Sequence, residues 1–327
     1  MSTANKVTSL DVAKRAGVSR SAVSRVFTQG ASVSERTAKK VRDAAEALGY
    51  RPNVLARAML TGKSKIIGLV VAYLDNHFYP TVLELLSDAL EREGYHVLVF
   101  MASHTASDIE DVVSQILDYQ VDGLVLASVA LSSDLADRCR ASGVPVVLFN
   151  RMLETDGELA VVSDNRAGGR MAAEHLVQAG RTRIGHIAGW EGASTQRDRE
   201  AGLMEGLRAA GLGLFAREVG DFRLNRAQDA ARRMFDADAP PDAVFVANDY
   251  MAFGVLDVLR AELRIRVPED VAVIGFDDVP AAAWPAYGLT TLRQDAAAMV
   301  DATVKALLAE IGGQVAVAQT TLPVTLI

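Results

Sequence analysis

The chain has 327 residues, half of them apolar, with a formal net charge of −7. That length gives room for two or three domains with real cores, and the longest apolar stretches, at 66–73 and 95–102, fall far short of the roughly 20 residues a membrane-spanning helix needs. Residues 1–65 carry a net charge of +9 and the remainder −16, the balance expected of a head that meets a polyanion and a body that does not; the bland alternative is a solvated basic face.

Three short helices are predicted in the head. Thr8 and Asp11 stand at capping-box spacing and open a helix that shows Val12, Ala13 and Ala16 on one face before Gly17 stops it. Ser19 caps a second helix, with Ala22, Val23 and Val26 on one side and Arg20, Ser21, Ser24 and Arg25 on or near the other. Ser34 caps a third, which runs through Val41, Ala44, Ala45 and Leu48 to Gly49. Two helices joined by Gly17-Val18-Ser19 and closed by a third describe a helix-turn-helix unit.

After Arg51-Pro52 a short helix-prone segment, 53–60, ends in Thr61-Gly62-Lys63-Ser64. From Ile66 onward compact apolar strands (66–71, 96–101, 123–127, 144–149, 160–163, 183–188, 243–247, 271–276) alternate with helical stretches such as 81–93, 167–179 and 199–210. This is the pattern of parallel sheets covered on both faces, and its length predicts two lobes with a ligand cleft at the carboxyl ends of the strands. The segments 289–292, 295–311 and 319–327 predict that the chain returns across the junction before it ends.

Enzyme signals are weak. Gly62-Lys63-Ser64 matches the end of a phosphate-binding loop, but the position of the earlier glycine holds Arg57 and the segment precedes a strand instead of following one. The five histidines (His77, His96, His104, His175, His186) lack paired metal spacing, and Cys139 is a lone cysteine that reads as small apolar filler. No cofactor or metal is expected. The first fifteen residues lack the apolar core of a secretory leader, so a cytoplasmic location is expected.

The stretches 7–19, Val23-Ser24-Arg25-Val26, Val33-Ser34, Leu48-Gly49-Tyr50, Pro52-Asn53 and Ala56-Arg57 closely resemble the lactose/galactose repressor family. The likeness continues with Ile67-Gly68-Leu69-Val70, Asp164-Asn165, Gly185-His186-Ile187-Ala188-Gly189, Arg199-Glu200-Ala201-Gly202, Asn248-Asp249 and 270–278. The resemblance implies an α/β chain: a helix-turn-helix head (1–52), a hinge helix and linker (53–65), and a two-lobed, periplasmic-binding-protein-like (type I) sensor with doubly wound parallel sheets (66–327).

It also implies partners and roles. Double-stranded DNA with a pseudo-palindromic operator is expected, read in the major groove by Arg20, Ser21 and Arg25; arginine suits the N7 and O6 acceptors of guanine. Thr8, Ser19, Ser24 and Asn53 suit phosphates. The hinge, with Ala56 aligned on the family's Ala-Arg pair, would set Met59 as the apolar minor-groove wedge where the family usually has leucine, although Leu60 lies next door. A sugar-like effector is expected between the lobes, on Asn76, Phe78, Asn150, Arg151, Arg199, Phe222, Asn248 and Asp277, with Phe222 covering a ring face; Phe222 as plain core and Asp277 as a lobe-closing partner are the alternatives. Arg151, Arg197 and Arg199 together would suit a carboxylate or phosphate, which points to a sugar acid or phosphosugar. No leucine-heptad tail precedes Ile327, so a homodimer is expected. The rival reading is an enzyme or solute carrier on a two-lobed scaffold with an accessory basic head; the capped helix-turn-helix and the hinge segment weigh against it.

Overall fold

The computed structural model describes residues 7–27, 31–51, 63–102, 106–127, 138–139, 141–152 and 158–327. These fall into two compact units, Met1–Lys65 and Ile66–Ile327. The hinge segment 53–60, with Asn53, Ala56 and Met59, lies outside the described residues.

In the first unit the helices are α1 (Ser9–Ala16), α2 (Arg20–Val26) and α3 (Glu35–Leu48). Asp11 accepts from both the backbone N–H and the hydroxyl of Thr8 at 2.9 and 2.7 Å, and those bonds hold its carboxyl below the ordinary carboxylate value. Gly17 and Gly49 close α1 and α3 in the left-handed conformation, with φ of 67° and 65°, which a side chain would oppose. The core is small: Val12, Val23 and Val41, one from each helix, are fully buried with Ala13, Ala44 and Ala45 between them. Alanines at these positions let short helices approach closely enough for three valines to fill the centre.

The second unit holds two six-stranded sheets. The first lobe is built from β1 (Ile66–Val71), α4 (Phe78–Arg92), β2 (His96–Met101), α5 (Ala106–Asp118), β3 (Gly123–Ala127), β4 (Val146–Phe149) and β5 (Leu159–Ser163). The second is built from α6 (Asn165–Gln178), β6 (Ile184–Ala188), α7 (Ser194–Ala209), β7 (Ala216–Val219), α8 (Leu224–Phe235), β8 (Ala243–Val246), α9 (Asp249–Asp257), β9 (Ala272–Asp277) and β10 (Thr290–Gln294). The chain then returns: α10 (Ala296–Ile311) packs on α4 and β3–β5 of the first lobe, β11 (Gln319–Leu322) joins β5, and β12 (Val324–Leu326) joins β10. Strand orders are β11-β5-β4-β3-β1-β2 and β12-β10-β9-β8-β6-β7, so both lobes share one topology.

Two details depart from the sequence reading. β7 was not among the expected strands: Ala216–Val219 is a four-residue edge strand with one exposed and three half-buried residues, so it lacks the apolar run that marks the central strands. The stretch 319–327 is two strands, split at Pro323, and β12 pairs antiparallel with β10 in an otherwise parallel sheet.

The chain crosses between lobes after Ser163, after Gln294 and after Leu322, and the crossings are tied together. The Asp164 N–H donates to the Leu322 carbonyl at 2.7 Å and the Ser163 hydroxyl donates to Gln294 Oε1 at 2.8 Å. Helices α6 and α7 pack backbone to backbone, because a Cβ on Gly202 would overlap the carbonyl oxygen of Arg166 and one on Gly169 that of Arg199. This close approach fixes where Arg199 emerges.

Candidate functional site

On the head, α2 turns Val23 into the core and leaves Arg20, Ser21, Ser24 and Arg25 exposed together. The Arg20 Nε–H reaches Ser9 Oγ at 3.2 Å and the Arg25 Nε–H the Ser21 carbonyl at 3.4 Å, so both guanidinium heads are steered by their own unit. Ser19 caps α2, accepting from the Ala22 N–H at 3.2 Å, and its oxygen lies 2.9 Å from Ser21 Oγ. Thr8 and Ser19 thus stand at two helix N-termini, where backbone N–H groups favour an anion.

In the body, the expected effector residues gather at the carboxyl ends of the strands. Asn76 follows β1 in the first lobe, and its amide donates to Asp277 Oδ2, at the end of β9 in the second lobe, at 2.9 Å. Asp277 Oδ1 accepts from Gln294 Nε2 at 2.7 Å and faces Arg199 Nη2 at 3.7 Å. Asn76, Asp277 and Arg199 are all at least nine-tenths buried. Burial pushes the Asp277 carboxyl up and the Arg199 guanidinium down from their ordinary values, and the facing charges work against both shifts.

Arg199 is heavily engaged. Its Nε–H goes to Asn165 Oδ1 at 2.8 Å, Nη1 to the Ala247 carbonyl at 2.5 Å, and its guanidinium carbon lies 3.6 Å from the centre of the Phe276 ring. Asn150 donates to the Tyr79 hydroxyl at 3.2 Å. Arg151 lies 5.1 Å over the Trp190 ring of the opposite lobe. Phe222 presses its ring on Gly189, where any Cβ would overlap it. It lines a cleft of about 560 Å³ with Tyr73, Asp75, Arg223, Asn225, Gln228 and Tyr250.

Two expected residues sit differently. The Phe78 ring is core, stacked on Phe149 and edge-on to Tyr79, and only its N–H meets the cluster, donating to Asn76 Oδ1 at 3.1 Å. Asn248 spends its Oδ1 capping α9, accepting from the Met251 N–H at 2.9 Å. Arg197 does not converge with Arg151 and Arg199: it is exposed and its Nη1 bonds the Gly192 carbonyl at 3.1 Å.

Backbone strain marks the same place. Of the eight non-glycine residues with positive φ among the described residues, five (Asn150, Asp221, Phe222, Asp277 and Asp278, between 56° and 126°) lie at or just past the carboxyl ends of strands. For a phenylalanine this conformation costs on the order of 1–3 kcal/mol and persists only where the surroundings enforce it. Sequence reasoning missed Trp190, Tyr79, Asn165, Ser163 and Gln294. Trp190 carried a readable signal, its place two residues beyond β6. The others become visible only once the crossings are brought together.

A helix-turn-helix head on a two-lobed, parallel-sheet body defines a class, the DNA-binding transcription regulators with a periplasmic-binding-protein-like body. The description "Bacterial regulatory proteins, lacI family" matches residues 8–53, and "Periplasmic binding protein-like domain" matches residues 173–327. The transcriptional regulator CelR of Thermobifida fusca is 34% identical over 325 residues, 97% of this chain and 94% of its own. The ribose operon repressor of Escherichia coli K12 is 32% identical over 288 residues, 87% of each chain. The lac repressor dimer bound to operator and an anti-inducer superposes with a TM-score of 0.89 at 29% identity, over 99% of this chain and 98% of that one. The chain belongs to the lacI family of bacterial regulatory proteins. Members of this family are DNA-binding transcriptional repressors and not enzymes.

Proposed function

We propose that this protein is a homodimeric repressor that reads a pseudo-palindromic operator with α2 and releases or tightens it when a small sugar-like metabolite, in its finer form a sugar acid or phosphosugar, occupies the interlobe cleft. The observation that carries the reading is the Asn76–Asp277 bond: a carboxylate and an amide from opposite lobes meet at 2.9 Å on the strand ends. A polyol entering there exchanges its hydroxyls for that bond and so acts on the lobe geometry directly. Arg20, Ser21 and Arg25 address base edges in this reading, while Thr8, Ser19, Ser24 and Asn53 meet phosphates and Met59 acts as the minor-groove wedge. Asn76, Asn150, Arg151, Arg199, Phe222, Asn248 and Asp277 form the effector site.

The dimer has its own support. β2 is an edge strand, and Leu74, Val99 and Met101 are exposed large apolar residues beside a groove of about 430 Å³ lined by Leu83, Val97 and Pro80. An apolar edge of that kind calls for a cover, and a second copy supplies one. Among the described residues no helix is long and apolar enough to cross a membrane, which accords with a cytoplasmic setting. Footprinting on the DNA upstream of the protein's own gene tests the reading: two protected half-sites about one helical turn apart are expected. Uniform protection without half-sites refutes it.

A further inference from the structure

Among the described residues four buried polar side-chain atoms have no hydrogen-bond partner, and three belong to two neighbours at the end of β4: Asn150 Oδ1, Arg151 Nε and Arg151 Nη1. Arg151 is 5% exposed, and among the described residues no carboxylate pairs with it. Its guanidinium lies over the Trp190 ring, 5.1 Å from the ring centre. That contact uses the flat face of the cation. It leaves Nε and Nη1 unserved, because hydrogen bonds to a guanidinium run along its edges.

Burying a guanidinium with two of its three nitrogens lacking an acceptor is unfavourable, and the cost is relieved by whatever acceptor fills the site. Nε and Nη1 lie on different edges of the fork, so two acceptor oxygens are needed. Asn150 Oδ1, one residue away, needs a donor. A hydroxyl both accepts and donates, and an oxyanion beside it brings the compensating charge. Arg199 cannot share this task, since its Nε, Nη1 and Nη2 already serve Asn165, Ala247 and Asp277.

We infer that Arg151, Asn150 and Trp190 form an anion subsite that takes a carboxylate or phosphate flanked by a hydroxyl, so the effector is an anionic polyol. This rests on the effector-cleft reading and adds to it the place where the ligand's charge docks. The Asn76–Asp277 pair takes neutral hydroxyls; the anion goes to the Arg151 end.

The chain has two tryptophans, Trp190 and Trp284, and Trp284 is 55% exposed. In a Trp284→Phe background Trp190 alone reports on the subsite. Inorganic phosphate, D-gluconate and glucose are titrated against its emission at constant ionic strength. A saturable change with phosphate or gluconate is expected, weaker or absent with glucose and lost when Arg151→Met is added. Phosphate against gluconate tells which oxyanion fits.

The melting temperature gives a second readout. Without anion, Arg151→Met should melt no lower than the parent, since it removes an unserved buried cation. With phosphate or gluconate the parent should gain more than the variant, over and above the general effect of salt on both. Equal responses in parent and variant, a response to glucose equal to that of gluconate, or no response to either anion overturns the subsite. Footprinting of the unaltered chain is independent of these measurements, so a protein that binds its operator yet ignores both anions loses the subsite and keeps the regulator reading.

Discussion

Replacing His186 by asparagine should flatten a pH dependence that the native protein carries in its core. His186 is fully buried in β6, its ring stacked on Phe245; Nδ1 lies 2.8 Å from the Phe245 carbonyl and Nε2 lies 3.0 Å from Gln196 Nε2. A carbonyl at Nδ1 and an amide donor at Nε2 fix the neutral tautomer with its proton on Nδ1. Burial pushes the imidazole down to about 4, against the ordinary 6.5. The unfolded chain therefore binds the proton more tightly, so stability is fully present above about pH 6.5 and is lost as pH falls towards 4. At 1.36 kcal/mol per pKa unit the ceiling is about 3 kcal/mol, and about 2 kcal/mol of it is spent between pH 7 and pH 5. Asp249 works in the opposite sense: burial and the neighbouring Asp277 raise it to about 7, so its folded state holds the proton more tightly and gains as pH falls. That contribution is common to both proteins and cancels in their difference. Asparagine keeps a donor for the Phe245 carbonyl but loses the ring, so the variant should be less stable at pH 7 by a few kcal/mol. Urea unfolding at both pH values measures it. The gap between native protein and variant should shrink by about 2 kcal/mol at pH 5; a gap that stays constant refutes the buried neutral imidazole.

Three further predictions address other links of the account. Arg25→Ala should cost about 1–3 kcal/mol on the operator and relax the preference at one base pair per half-site; equal losses on operator and random DNA in a binding titration would make Arg25 a phosphate contact. Gly202→Ala should destabilise the body by at least about 2 kcal/mol in urea unfolding, because its methyl group would overlap the Arg166 carbonyl and push α7 off α6. Met101→Asp places a charge on the exposed apolar edge of β2 and should convert the proposed dimer to monomer in light scattering, whereas an unchanged dimer mass would move the interface elsewhere.

The fold was legible wherever local pattern and tertiary demand coincide. Ser19, Ser34, Gly17 and Gly49 punctuate the head helices because caps and left-handed turns are chemical needs of the chain itself. The central strands read clearly because both faces are buried. β7 did not, since an edge strand of half-buried residues looks like any loop. Between the lobes, Asn76, Arg199 and Asp277 stand out in the sequence, and Asn76 and Arg199 each meet Asp277. The Phe78 ring packs in the core, a placement that sequence alone does not tell from one facing a ligand. The supports were invisible for a different reason: Ser163 and Gln294 are 131 positions apart and meet only because three crossings converge.

The most direct test of the central claim is operator affinity measured by gel shift at fixed salt, using the protein's own upstream DNA, with and without each member of a panel of sugars, sugar acids and phosphosugars. Specific, salt-sensitive binding is expected, together with a change of roughly 5- to 150-fold on addition of one class of compound, the range of typical coupling between two sites. A protein that binds the upstream fragment no better than random DNA, or whose affinity no panel member alters although one of them raises its melting temperature, would contradict the account.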